Sequence, residues 1–149
     1  MIHALLERLP ALAADQREQA ALRWLERSGG VEETGVREEI ARTVCSLISD
    51  ERFSALFGPG SLAEAPIAAA LPDGRVIAGT VDRLLVEPER VLVVDYKTGR
   101  APHSEQDIPE AHRLQMQAYR EALSVIFPKR DVRAALLYTT SAEFFMVGS

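Results

Sequence analysis

Through the first third of the chain, apolar residues recur at helical spacing and are interrupted by short polar stops. In 11–27, Leu12, Gln16, Ala20 and Trp24 stand at four-residue steps, and Ser28-Gly29-Gly30 ends the run, which predicts one helix. A second helix is predicted over 32–49, where Val36, Ile40, Val44, Leu47 and Ile48 form one apolar stripe. A short turn at 51–57 leads to the breaker Gly58-Pro59-Gly60.

Beyond this point the period shortens. Residues 63–71 run into Pro72-Asp73-Gly74-Arg75, a hairpin signal, and 76–86 follows as its return strand. A second turn, Glu87-Pro88-Glu89-Arg90, precedes 91–97, VLVVDYK, whose valine-rich run marks a strand buried on both faces. These three strands form an antiparallel meander. After a loop over 98–108, a helix is predicted over 109–126, with Pro109 at its first position and Phe127-Pro128 past its end. Two further strands are predicted at 132–139 and 143–147.

Composition changes this picture little. The 149 residues fit one domain of 1–149, with a helical part over 1–60 and a core over 61–149. Hydrophobic residues make up 47% and charged residues 26%, a balance typical of globular proteins. No apolar run reaches the roughly 20 residues that span a bilayer, and the N-terminus lacks the pattern of a signal peptide. A cytosolic location is the default expectation. The single cysteine, Cys45, excludes an internal disulfide, a four-cysteine zinc site and an iron–sulfur cluster, and its setting in TVCSLI predicts a buried helical residue. No GxxxxGK[ST] motif is present, so no nucleotide site is expected. The net charge of −5 disfavours a free-standing nucleic-acid binder, because neutralising phosphates supplies most non-specific affinity. It does not disfavour a nuclease, whose metal site needs carboxylates.

The chemistry concentrates in 79–97, GTVDRLLVEPERVLVVDYK. Alternation along a strand turns Asp95 and Lys97 to one face, and their apolar neighbours make that strand central. A buried aspartate and lysine are costly unless paired or metal-bound. The turn at 87–90 brings Asp82 close if it sets the expected register. Two carboxylates then suit magnesium or manganese, and Lys97 can orient a water or offset charge on a phosphate. The plainer alternative is an ion pair at a strand end, with Asp82–Arg83 in a solvated turn. Gln115 and Tyr119, four residues apart, share one helical face and either reach this strand end or pack in the core. His3 offers an imidazole on an amphipathic helix, Glu64 is a further acidic candidate in the first strand, and His103 and His112 lie in or beside polar loop sequence without an assignment.

Taken in order, His3-ALLE, Gly79-Thr-Val-Asp82-Arg83, Val94-Asp95-Tyr96-Lys97-Thr98 and Gln115-xxx-Tyr119 resemble the RecB-like branch of the PD-(D/E)xK nucleases. The likeness is strongest to the C-terminal nuclease domain of AddA-type helicase–nucleases, which process double-strand breaks, and it covers nearly the whole chain. It implies a restriction-endonuclease-like α/β (α+β) core, a mixed central sheet flanked by helices, with an N-terminal helical segment. Asp82 and Asp95 would bind Mg2+, with Mn2+ able to substitute, and Lys97 would be the catalytic lysine. His3 would be an N-terminal ligand, and the Tyr96 carbonyl a further one. Gln115 and Tyr119 would support the site or touch the DNA strand, and Arg83 would pair with an acidic neighbour or contact phosphate. The implied activity is an exonuclease-type cleavage of DNA leaving a 5′-phosphate and a 3′-hydroxyl. The implied partners are single-stranded DNA, a helicase motor on the same chain and an AddB-type subunit. Relatives with iron–sulfur clusters need four cysteines, which this chain lacks. The start two residues before His3 gives the expectation of a fragment with its motor upstream. The rival expectation is a catalytically silent DNA-docking or assembly module on the same fold; a second is a free-standing nuclease.

Overall fold

The computed structural model describes residues 1–148. The chain divides into two compact units, Met1–Pro59 and the part from Gly60 onward.

The first unit is helical. Helix α1 spans Ile2–Arg8, α2 spans Arg17–Arg27, α3 spans Thr34–Ser49, and a 3-10 turn covers Glu51–Phe53. Helix α2 is shorter than its predicted 11–27, because Leu9–Ala11 and Ala14–Gln16 are separate 3-10 turns. Arg17 holds this irregular entry by donating to the carbonyls of Leu9, Pro10 and Leu12. The buried residues of α2 are Ala21 and Leu25, one residue beyond the Ala20–Trp24 step of the sequence pattern. On α3 the stripe is buried at Val44, Leu47 and Ile48, joined by Ala41, whereas Val36 near its start is exposed. Cys45 is half-buried on α3 rather than fully enclosed, and burial pushes its thiol above the ordinary value.

The second unit is a five-stranded mixed sheet in the order β1-β2-β3-β4-β5. Its strands are β1, Ser61–Ala70; β2, Val76–Val86; β3, Arg90–Lys97; β4, Asp131–Tyr138; and β5, Glu143–Val147. The β1–β2 hairpin closes at Leu71–Arg75, where Gly74 takes φ +91, a left-handed backbone that a side chain would disfavour. The next turn closes with Glu87 N–H donating to Arg90 O at 2.9 Å, and sets the antiparallel rungs from Val86–Val91 to Arg83–Val94. Helix α4, Glu110–Ile126, then carries the chain across to β4, which pairs parallel with β3. This is the mixed α+β sheet, with a helix on its face, expected from the sequence. No helix among the described residues is long and apolar enough to cross a membrane.

Central β3 has Val91, Val93 and Val94 fully buried, as its valine run requires. Val91 and Val93 join Met116, Ala122 and Leu123 of α4 in one core. Met116, Tyr119 and Leu123 share the helix face turned to this core, with steps of three and four residues. In β2 the core residues are Ile77, Val81, Leu84 and Val86. The two-residue alternation therefore breaks between Val81 and Leu84, at Asp82 and Arg83. Opposite this break, β1 pairs at Ala63–Arg83 and Ala65–Val81 with no rung between Glu64 and Asp82, and Glu64 has φ +49. Such a local irregularity bends a strand pair and re-aims side chains, and it stands here beside the residues with chemistry.

Candidate active site

Asp95 and Lys97 continue the face of β3 that carries Val91 and Val93, so they emerge where the core ends. Lys97 Nζ lies 2.9 Å from Asp95 Oδ2, with the two side chains 21% and 16% exposed. This is a half-enclosed ion pair, not a solvated one. Continuing the β2–β3 register by one rung sets Asp82 opposite Asp95. The ladder stops before that rung, and Asp82 Oδ2 instead accepts the Tyr96 backbone N–H at 2.7 Å. The side chain thus takes the place of a ladder hydrogen bond and is held beside Asp95.

The electrostatics follow from this crowding. Burial, first, and then the neighbouring Asp82 push the Asp95 carboxyl from its ordinary 3.8 up to about 6, against the opposing pull of Lys97. At neutral pH Asp95 is ionised, but the arrangement holds more negative charge than Lys97 offsets. That is the condition a hard cation with oxygen ligands relieves. Among the described residues no cluster of three or more His, Cys, Asp or Glu side chains is assembled as a metal cage. The cation-binding potential rests on the Asp82–Asp95 pair and on backbone oxygen such as that of Tyr96. Tyr96 itself is buried, which raises its phenol, while Arg83 pulls it down; Arg83 is buried too, at 4% exposed.

Helix α4 closes the site from above. Gln115 Nε2 donates to the Tyr119 hydroxyl at 3.4 Å, so the two residues act together. The Tyr119 ring lies over Gly79 of β2, where an added Cβ would meet its hydroxyl oxygen at 3.2 Å. Burial raises the Tyr119 phenol, and Asp95 raises it further, which sets this ring within the field of the carboxylate pair. The structure therefore gathers Asp82, Asp95, Tyr96, Lys97, Gln115 and Tyr119 at one end of the sheet. His3 stands half-buried on α1, in the first unit.

Two residues without an assignment from the sequence enter the site's electrostatics. His112, on the first turn of α4, lies three residues before Gln115 and seven before Tyr119. Burial and then Lys97 lower its imidazole, and its buried Nδ1 has no hydrogen-bond partner among the described residues. Its helical spacing to Gln115 and Tyr119 is the signal that points to it. Tyr138 pairs with Lys97 in the parallel register and packs edge-on against Phe145, with ring centroids 5.8 Å apart. Burial raises its phenol while Lys97 lowers it. Glu64 is exposed, at the register position opposite Asp82, and His103 is exposed in the loop after β3.

No curated protein matches the chain in sequence. Among solved structures, the crystal structure of SSO0001 is similar at 15% identity with a TM-score of 0.41. The alignment covers 99% of this chain, which spans 65% of the length of that one. Residues 1–144 match the family model of the PD-(D/E)XK nuclease superfamily. The match runs through both units and includes every residue of the carboxylate–lysine site, and the chain therefore belongs to the PD-(D/E)XK nuclease superfamily.

Proposed function

We propose that the chain is a divalent-metal-dependent deoxyribonuclease of the RecB-like branch, the nuclease part of an AddA-type helicase–nuclease acting in double-strand break repair and recombination. The observation that carries this reading is the Asp95–Lys97 pair at 2.9 Å, half-enclosed at a strand end, with Asp82 held beside it by the Tyr96 N–H. A silent docking module gains nothing from retaining two crowded carboxylates and a lysine at the cost of desolvating them.

Asp82, Asp95 and the Tyr96 carbonyl would hold Mg2+, with Mn2+ able to replace it. His3 enters the ligand set on the sequence likeness alone. A bound cation supplies positive charge at the phosphate and acidifies a coordinated water. The chain's own groups do the rest. The Asp95 carboxylate fixes the Lys97 ammonium in one position, from which it orients the attacking water or offsets charge developing on the phosphate oxygens. Gln115 and Tyr119 position the DNA strand or brace the strand end. Attack on phosphorus breaks the bond to the 3′-oxygen, leaving a 5′-phosphate and a 3′-hydroxyl. In this reading 1–149 is one nuclease domain, cytosolic, receiving single-stranded DNA from a motor on the same chain and working with an AddB-type subunit.

The test is cleavage of end-labelled single-stranded DNA with magnesium, with manganese and with EDTA, by the wild type and by Asp95→Ala and Lys97→Ala. Metal-dependent cleavage that falls by about a hundredfold or more in both variants is expected, the scale seen when one charge-stabilising group is removed from an active site. Cleavage that persists in EDTA, or equally in both variants, contradicts the reading.

A further inference from the structure

Immediately past Lys97 the chain forms a polar cleft that the carboxylate–lysine site does not use. Its volume is about 590 Å³, and its walls are the loop after β3 and the β4–β5 turn, including Thr98, Gly99, Arg100, Thr140, Ser141 and Glu143. The cleft floor is continuous with the site strand. Thr139 N–H donates to Lys97 O at 2.9 Å, and the Thr140 hydroxyl donates to Thr98 O at 3.4 Å, extending the parallel β3–β4 pairing beyond the strands. In open α/β sheets ligands bind outside the carboxyl ends of parallel strands, and β3–β4 is the parallel pair of this mixed sheet.

The chemistry of the walls selects the ligand. Arg100 is exposed and makes no hydrogen bond or ion pair among the described residues, whereas Arg75, Arg90 and Arg133 in the same unit are each paired to a carboxylate. Glu143 is the one carboxylate in the lining. The hydroxyls of Thr98 and Ser141 add donors. An added Cβ at Gly99 would meet nothing within 4 Å, so the fold does not need a glycine there for space. The bare backbone lets a ligand approach closely instead. A guanidinium, hydroxyls and an open backbone suit the oxygens of a phosphodiester rather than a base edge or an apolar group.

We infer that this cleft is a phosphate-binding track for the DNA strand next to the scissile bond, with Arg100 as its anchor; the inference rests on the nuclease reading above. The strand then runs from the Asp82–Asp95 pair along the β3–β4 ends, and Arg100 sets affinity without taking part in the bond cleavage.

The test is fluorescence anisotropy of a labelled single-stranded oligonucleotide in EDTA at low salt, titrated with wild type, Arg100→Ala and Arg100→Lys across a salt series. Arg100→Ala is expected to bind about tenfold more weakly, and its log–log salt slope to shrink by about 0.7, the value for one single-strand phosphate that is no longer neutralised. Arg100→Lys should keep the slope. Manganese binding by calorimetry should be equal in all three, since Arg100 lies outside the carboxylate pair. Unchanged affinity and slope in Arg100→Ala, or no binding by the wild type at low salt, overturns the inference. Arg100-dependent binding by a wild type that never cleaves upholds the track and sinks the nuclease reading instead. Displacement of the oligonucleotide by inorganic phosphate at equal phosphate concentration would show a site for a free anion, and overturns a track built for a strand.

Discussion

Asp95 stands between two opposed influences. Its burial and its neighbour Asp82 favour the protonated carboxyl, while Lys97 at 2.9 Å favours the carboxylate, and the first two prevail. The consequence for pH has a definite sign. A carboxyl raised from 3.8 to about 6 on folding binds its proton more tightly in the folded chain. It therefore adds stability to the metal-free protein below the lower value, and loses it as pH rises through the upper one. Asp82→Asn keeps an oxygen that can accept the Tyr96 N–H but removes the repelling charge. The Asp95 carboxyl followed by carbon NMR should then titrate lower than in the wild type, with the part of the rise due to burial remaining, and the loss of stability between pH 4 and 6 should shrink. An Asp95 titration unchanged in Asp82→Asn would show that the two carboxylates are not coupled. The pairing of Asp95 with Lys97 is legible in the sequence, because strand alternation alone puts residues two apart on one face. The hold of the Tyr96 N–H on Asp82 is not, because it depends on where the ladder stops.

Helix α4 meets β2 through Gly79. An added Cβ there would stand 3.2 Å from the Tyr119 hydroxyl oxygen, tighter than ordinary packing, so the ring must yield by a few tenths of an ångström. Gly79→Ala should lose about 1 kcal/mol in urea unfolding, the lower end for overpacking. Adding Tyr119→Phe removes the nearest atom and should recover most of that loss, which makes the pair strongly non-additive. A loss in the double variant equal to the sum of the two single losses would mean that Tyr119 does not lie over Gly79. Most elements are readable because their punctuation is chemical. Pro72-Asp73-Gly74 and Glu87-Pro88 close turns, and the valine run of 91–97 marks a central strand. The break in alternation at Asp82 and Arg83 is not readable in this way. It is accompanied by φ +49 at Glu64, and a glutamate gives no signal of a left-handed backbone. The entry to α2 also departs from the helical spacing, because Arg17 stabilises 3-10 turns there that periodicity cannot foresee. His112 is hidden for a similar reason. Its place beside Lys97 is set by how α4 crosses to β4, a tertiary feature rather than a local one.

At the scale of the whole chain, two compact units carry a net charge of −5. An acidic chain has weak general attraction for DNA, so under the proposed function its affinity would come from local features such as Arg100 or from a partner that delivers the strand. The proposed metal binding can be measured without DNA. The central claim, that Asp82 and Asp95 form a divalent-cation site, is therefore tested most directly by calorimetric titration of manganese into the metal-free chain at neutral pH. Wild type should bind the ion, and repeating the titration near pH 6, where the raised Asp95 carboxyl is partly protonated, should add a release of protons. Asp95→Ala should bind no manganese at the same concentrations. Equal binding in both proteins, or none in the wild type, would contradict the account.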